Sequence, residues 1–262
     1  MNYIKYLLYS FIHYLLPNST KHRLRTTNLF IWIDQVSWEL PAPLLGYRMK
    51  GPGVFSSMIT RPYEPLVAQT ICRLVQPGWI CVDIGAHFGY FTLLMAHLAK
   101  THGHVFSFEA HPSNFYWLQR NIELNKISDK VTLINLAITD GKHSFVSLYA
   151  PKYYTTEFSI IRKEINKSNA IEVRATSLDQ FLPKEQNINF VKMDIEGAEY
   201  IALQGMAHIL RTKRPICLIE LHGEGGQKAK SFLQQYNYIL TDLEMKPLTD
   251  STLTSHILAQ PN

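Results

Sequence analysis

The chain has 262 residues, 46% of them hydrophobic, which is enough for one main domain with an extension and a sizeable core. Its 26 basic and 21 acidic residues leave a formal charge of +5 with no long basic run, so no nucleic-acid partner is expected. Three scattered cysteines, Cys72, Cys81 and Cys217, form no CxxC pair; they point to neither a disulfide framework nor a zinc site, and they fit a reducing compartment such as the cytoplasm.

Tyr3 to Leu16 is almost continuously apolar or aromatic, broken by Lys5, Ser10 and His13. It is shorter than the roughly 20 apolar residues that span a bilayer, and no small-residue cleavage site follows it. Pro17-Asn18-Ser19 end the run, and Lys21, His22, Arg23 and Arg25 come next. A helix here either packs on its own domain or a second copy, or lies on an anionic membrane surface. Peripheral contact of residues 3–16 with the inner face of a membrane therefore stays open. Leu29 to Val36 reads as a strand and Pro41 to Gly53 as turns. Residues 1–60 form an accessory region on this reading, and 61–262 the main domain.

From residue 61 the pattern alternates. Glu64 to Leu74 reads as a helix ended by Pro77-Gly78. A strand, Ile80 to Asp83, leads through a glycine turn to a helix from about Gly89 to Lys100. A second strand, His104 to Glu109, precedes a helix opened by Pro112. A third strand is Val131 to Ile138. There the alternation breaks: Asp140-Gly141 is a hairpin signal, and Ser144 to Tyr149 alternates at period two. Ile171 to Ala175 reads as a short strand, with a polar, aromatic insert before it. Ser177 to Leu182 is a short helix. Strand four is Asn189 to Asp194, followed by a helix with Ile201, Leu203, Met206 and Ile209-Leu210. Strand five is Ile216 to Leu221, and Lys228 to Tyr236 is a helix. Tyr238 to Leu243 and Ser255 to Ala259 form a terminal strand pair. Such alternation implies an α/β protein with a mostly parallel sheet covered on both faces.

Strand, glycine turn and helix at Val82 to Phe91 make a nucleotide-binding unit, with backbone N–H groups gathered at a helix N-terminus. A dinucleotide fingerprint needs a middle glycine, and Ala86-His87-Phe88 supply none. Asp83 would repel a pyrophosphate and suits a cationic ligand such as S-adenosylmethionine. Glu109 ends the second strand about 20 residues further on, where an acid can accept both ribose hydroxyls, or brace the helix at Pro112.

Asp83-Ile84-Gly85-Ala86-His87-Phe88-Gly89-Tyr90 resembles the D-[VI]-G-A-N-x-G-x-[YF] motif of the FkbM-type S-adenosylmethionine-dependent methyltransferases. Tyr63-Glu64-Pro65 is similar to that family's Y-E-P, and Phe108-Glu109-Ala110-His111-Pro112 to its F-E-P-x-P. Asn121 to Asn125, Asn135-Leu136-Ala137 and Thr176-Ser177-Leu178-Asp179 resemble its N-x-x-x-N, N-x-A and T-x-L-D. Lys192-Met193-Asp194-Ile195-Glu196-Gly197-Ala198-Glu199 resembles K-x-D-[VI]-E-G-x-E. His87 stands where the family has asparagine, and Ala110 where it has proline. The resemblance implies a Rossmann-like class I methyltransferase sheet, mostly parallel with a terminal antiparallel strand. It also implies a cofactor site on the first turn, made by Asp83, Gly85, Ala86, His87, Gly89 and Tyr90. Glu64, Glu109, Asn135, Ala137 and Asp194 complete that site.

Methyl transfer to a hydroxyl needs alignment and a proton acceptor beyond the carboxyl ends of the strands. Strand four delivers Asp194 and Glu196 there, and strand five Glu220 and His222. These four are the candidate catalytic residues. Glu199 reads as ordinary dipole compensation in a first helical turn. Asp194, Glu220 and His222 could hold a divalent ion, but their spacing is not that of a local metal motif, and no metal is favoured. The resemblance implies O-methylation of a sugar, a glycan or glycolipid, or a secondary metabolite. A nicotinamide-dependent oxidoreductase and a non-enzymatic membrane-associated protein on the same fold are the alternatives.

Overall fold

A computed structural model describes residues 37–51, 62–149, 170–223, 225–248 and 254–262. The apolar helix at 3–16, the strand at 29–36 and most of the insert at 149–162 lie outside the described residues. The chain divides into two compact units, Met1–Glu64 and Pro65–Asn262. In the first, β1 (Trp38–Glu39) pairs antiparallel with β2 (Arg48–Met49), and Leu40, Leu44 and Met49 are buried.

The second unit is a seven-stranded sheet. Its parallel centre is β3 (Ile80–Ile84), β4 (His104–Phe108), β5 (Val131–Ile134), β9 (Phe190–Met193) and β10 (Ile216–Glu220). β12 (His256–Pro261) runs antiparallel between β10 and β11 (Tyr238–Thr241). The spatial order is therefore β5-β4-β3-β9-β10-β12-β11. It reverses direction at β3, so β3 and β9 flank the switch point where ligands bind in open α/β sheets. The central strands read as unbroken apolar runs because both faces are covered.

Helix α1 (Pro65–Leu74) precedes β3, and α2 (Tyr90–Ala99), α3 (Pro112–Leu124) and α7 (Gly225–Gln235) are crossovers. Helix α2 packs against β3, β4 and α1, and Thr92 is the one strongly polar residue among its eight buried side chains.

Three expectations needed correction. The third strand is not continuous: Asn135-Leu136 break it, and β6 (Ala137–Ile138) leaves the main sheet for a three-stranded one. There β6 pairs parallel, and β7 (Phe145–Tyr149) antiparallel, with β8 (Ala170–Thr176). Asp140-Gly141 thus joins strands on opposite sides of β8 and closes no hairpin. The helix after strand four is two short ones, α5 (Glu199–Gln204) and α6 (Ala207–Thr212). Gly205 lies at the break, where a Cβ would come 1.9 Å from the Thr139 carbonyl oxygen. Only glycine lets the helix backbone approach β6 so closely. Asp179, just after the Ser177 cap of α4 (Leu178–Phe181), caps α6 by accepting from His208 and Ile209 N–H at 2.8 and 3.1 Å.

Candidate active site

The turn after β3 is pinned from two sides. Gly85 has φ 81°, and a Cβ there would fall 1.9 Å from the Asp194 carbonyl oxygen. Asp194 N–H in turn donates to Ile84 O at 3.0 Å. The ends of β3 and β9 are therefore in backbone contact. Gly85 and Ala86 N–H both donate to Phe108 O at 3.0 Å, which ties the same turn to the end of β4. Gly89, at φ 93°, is the residue before α2.

Glu109 closes this arrangement. One carboxylate oxygen accepts from His87 N–H at 2.8 Å, the other from His111 N–H at 2.9 Å. Asn114 Nδ2 adds a long contact at 3.5 Å. Both readings of Glu109 therefore have a physical basis: it braces the start of α3, and a carboxylate retains acceptor capacity beyond two N–H donors. Burial pushes its carboxyl up to about 7, although the backbone N–H groups pull the other way. Asn135 supports it, donating through Nδ2 to the carbonyls of Glu109 at 2.7 Å and Ala110 at 3.1 Å.

Asp83 is fully buried, which leaves it no surface for direct contact with a ligand. Strand register sets it beside Ser107 on β4 and Lys192 on β9. Thr92 Oγ1 donates to its Oδ2 at 2.6 Å and lies 2.8 Å from Ser107 Oγ. Burial raises its pKa, and Lys192 and Thr92 oppose that rise. Asp83 thus holds α2 onto the sheet behind the turn. His87 has φ 54°, its ring stacks at 3.9 Å on Phe88, and its Nε2 is buried with no partner among the described residues. Burial, then the Lys192 charge, pushes the imidazole down to about 4, so it is neutral at pH 7.

Past the ends of β9 and β10 the structure gathers all four candidate catalytic residues. Asp194 Oδ2 lies 3.4 Å from Lys192 Nζ, and that ammonium stands 5.1 Å over the Phe91 ring. Glu196 has φ 56°, a costly conformation for a residue with a side chain. His222 Nε2 is 3.6 Å from both Glu196 Oε2 and Glu220 Oε1. Its Nδ1 is 3.0 Å from Glu199 Oε1, and because the carboxylate accepts, Nδ1 carries the proton. The hydrogen bond it donates to Glu199, and then the Glu196 and Glu199 charges, push the imidazole up to about 9 against its burial. In this state it cannot serve as the base at neutral pH.

One expected residue is set apart from the site. Ala137 is a packing residue of β6, set with Leu148, Val173 and Ala175 in a small core of its own. Tyr90 is buried at the start of α2. Glu199 is the reverse case: fully buried, it binds Gly197 N–H at 2.9 Å as well as His222, so it belongs to the cluster. Its signal was the EGxE spacing, which carries it into the buried first turn of α5. Lys192 was legible as the residue two before Asp194, on the same face of one strand.

Strand order and site define a class I methyltransferase fold, the fold of S-adenosylmethionine-dependent enzymes. The methyltransferase FkbM domain model matches residues 83–240, and the chain belongs to that family. "Methyltransferase 1" of Beauveria bassiana (strain ARSEF 2860) is 28% identical over 143 residues, covering 48% of this chain and 57% of that protein. The match thus spans little more than half of that relative. Two solved structures align more loosely. Methyltransferase FkbM from Methylobacillus flagellatus KT is 15% identical, with TM-score 0.48, over 73% of this chain and 50% of that one. A SAM-dependent O-methyltransferase from Thermotoga maritima is 14% identical, with TM-score 0.49, over 79% and 69%. The family membership favours neither the oxidoreductase nor the non-enzymatic alternative. Among the described residues no helix is long and apolar enough to cross a membrane.

Proposed function

We propose that the chain transfers a methyl group from S-adenosylmethionine to a hydroxyl of a sugar, a glycan or glycolipid, or a secondary metabolite. The observation that carries this is the backbone contact between the Gly85 turn and Asp194, which sets the glycine turn directly beside the acidic cluster. S-adenosylmethionine supplies an electrophilic methyl on a sulfonium. The residues suit it: Glu109 has spare acceptor capacity for ribose hydroxyls, and the carboxylates nearby suit a cation.

Glu196 takes the proton of the attacking hydroxyl. Its strained backbone holds the carboxylate beside His222, and strain of this kind is retained where function requires it. Asp194, Glu220 and His222 line the place where the acceptor oxygen must sit. Glu199, through His222 Nδ1, is a positioning residue.

Calorimetry with S-adenosylhomocysteine tests the cofactor: saturable binding is expected, and none would overturn the proposal. Glu196→Gln and Asp194→Asn should each keep that binding and lower kcat at least a hundredfold on an accepted sugar or metabolite, the usual loss on removing a general base. Unchanged turnover in Glu196→Gln rejects it as the base.

A further inference from the structure

The geometry points to a divalent metal site made by Asp194, Glu220 and His222, suited to an ion of the manganese or zinc type. One ligand atom from each of the three lies within 4.8 Å of both others. They come from the ends of two adjacent parallel strands, so the sheet itself holds them together.

The distances are those of an ion pair to a protonated His222, and they also suit shared ligation once an ion displaces that proton. His222 Nε2 stands 3.6 Å from Glu220 Oε1. That is too long for a hydrogen bond. Two donor atoms each about 2.1 Å from one ion, at a near-tetrahedral angle, lie about 3.4 Å apart. Small side-chain movements would bring all three onto one centre.

A second observation is independent of that spacing. Metal-binding histidines generally donate their other ring N–H to a carboxylate, which fixes the tautomer and aims the free nitrogen. His222 has this partner: Nδ1 is bonded at 3.0 Å to Glu199, a carboxylate with no exposed surface. The other oxygen of Glu199 is buried with no partner among the described residues. A fully buried carboxylate is costly unless it serves a charge. Through His222 it serves a positive charge at Nε2, the proton of the metal-free imidazolium or an ion that displaces that proton. The second oxygen of Glu220 lies 3.4 Å from His256 Nε2.

The donor set narrows the ion. Imidazole with two carboxylates suits manganese or zinc, whereas magnesium prefers oxygen ligands and retains its waters. Remaining coordination positions would be open to a hydroxyl oxygen, as at a catalytic rather than a structural centre.

The test uses the full chain stripped with a chelator and titrated with manganese chloride, reading the six-line electron paramagnetic resonance signal of the free ion. One Mn²⁺ per chain should bind saturably, with zinc chloride displacing it. Pulsed measurement on the wild-type complex should show nitrogen coupling from one imidazole. His222→Gln and Glu220→Gln should abolish binding, and Glu199→Gln should weaken it tenfold to a hundredfold. A free-ion signal equal to that of buffer throughout the titration overturns the site. So does stoichiometric binding without nitrogen coupling, a measurement that needs no variant to fold. Binding of the metal alone is read, so loss of the methyl-transfer proposal would leave this result standing, and the reverse also holds.

Discussion

Gly85→Ala isolates the contact on which the site depends. Two costs act at this position. The first is conformational: φ of 81° penalises any residue with a Cβ by about 1–2 kcal/mol. The second is steric, because the new methyl would lie 1.9 Å from the Asp194 carbonyl oxygen and 3.0 Å from the Ile195 side chain. The nearest atom is backbone in the turn after β9, so it yields only if that turn moves. Overpacking of this kind costs about 1–3 kcal/mol. Gly78 supplies the control, since its φ is 84° and a Cβ there meets nothing within 4 Å. Gly78→Ala should therefore pay the conformational cost alone. Thermal melts of the two variants measure the difference. With about 2–4 °C per kcal/mol for a unit of this size, Gly85→Ala should melt about 2–12 °C below Gly78→Ala. It should also lose S-adenosylhomocysteine binding, which Gly78→Ala keeps. Equal melting temperatures in the two variants would refute the close approach of β3 and β9.

Other expectations follow from single residues. Thr92→Val should lower stability by about 1–3 kcal/mol in denaturant titration, because it removes the donor at 2.6 Å and leaves Asp83 buried without it. A loss below about 0.5 kcal/mol, the range of ordinary surface substitutions, would count against that role. The carboxyl of Glu109 is pushed up to about 7, and ribose hydroxyls donate to its ionised form. Binding of S-adenosylhomocysteine therefore lowers this pKa and releases a proton. Affinity should be greatest above pH 7 and fall as pH drops below it, by at most about tenfold per unit. Calorimetry in buffers of different ionisation enthalpy reads the proton directly. Glu109→Gln should bind more weakly and without the pH dependence, and a wild-type affinity flat from pH 6 to 8 contradicts the assignment.

Much of the fold was legible because its parallel core obeys simple rules. Ile80 to Ile84, His104 to Phe108 and Ile216 to Glu220 are short apolar strands, each close to where periodicity and glycine or proline punctuation set it. The failures lie where pairing is non-local. Ala137 and Ile138 continue the apolar run of β5, and nothing in those residues says that they pair with Ala175 and Thr176 instead. Asp140-Gly141 has hairpin chemistry, but a turn sequence cannot tell whether its flanking strands meet or straddle a third.

The site divides in the same way. Motif spacing locates Asp194, Glu196 and Glu199 within one turn, yet it assigns the three acids no distinct environments. Tertiary packing does so. The helix start that made Glu199 look like a dipole counter-charge is itself buried, as are Ala202 and Leu203 in the turn that follows. Once buried, its carboxylate must find a charge or a donor. Strand β10 brings one, His222, from 23 residues further along the chain. Asp83 shows the converse. Its position before the glycine turn marks it as a ligand-facing acid, but the inward side of β3 and the hydroxyl of Thr92 nine residues later turn it into an anchor. An acid's role in this chain is therefore set by the partner its strand register delivers. For Glu199 that partner is a histidine with its second nitrogen beside two more carboxylates, and together the three acids hold the imidazole protonated.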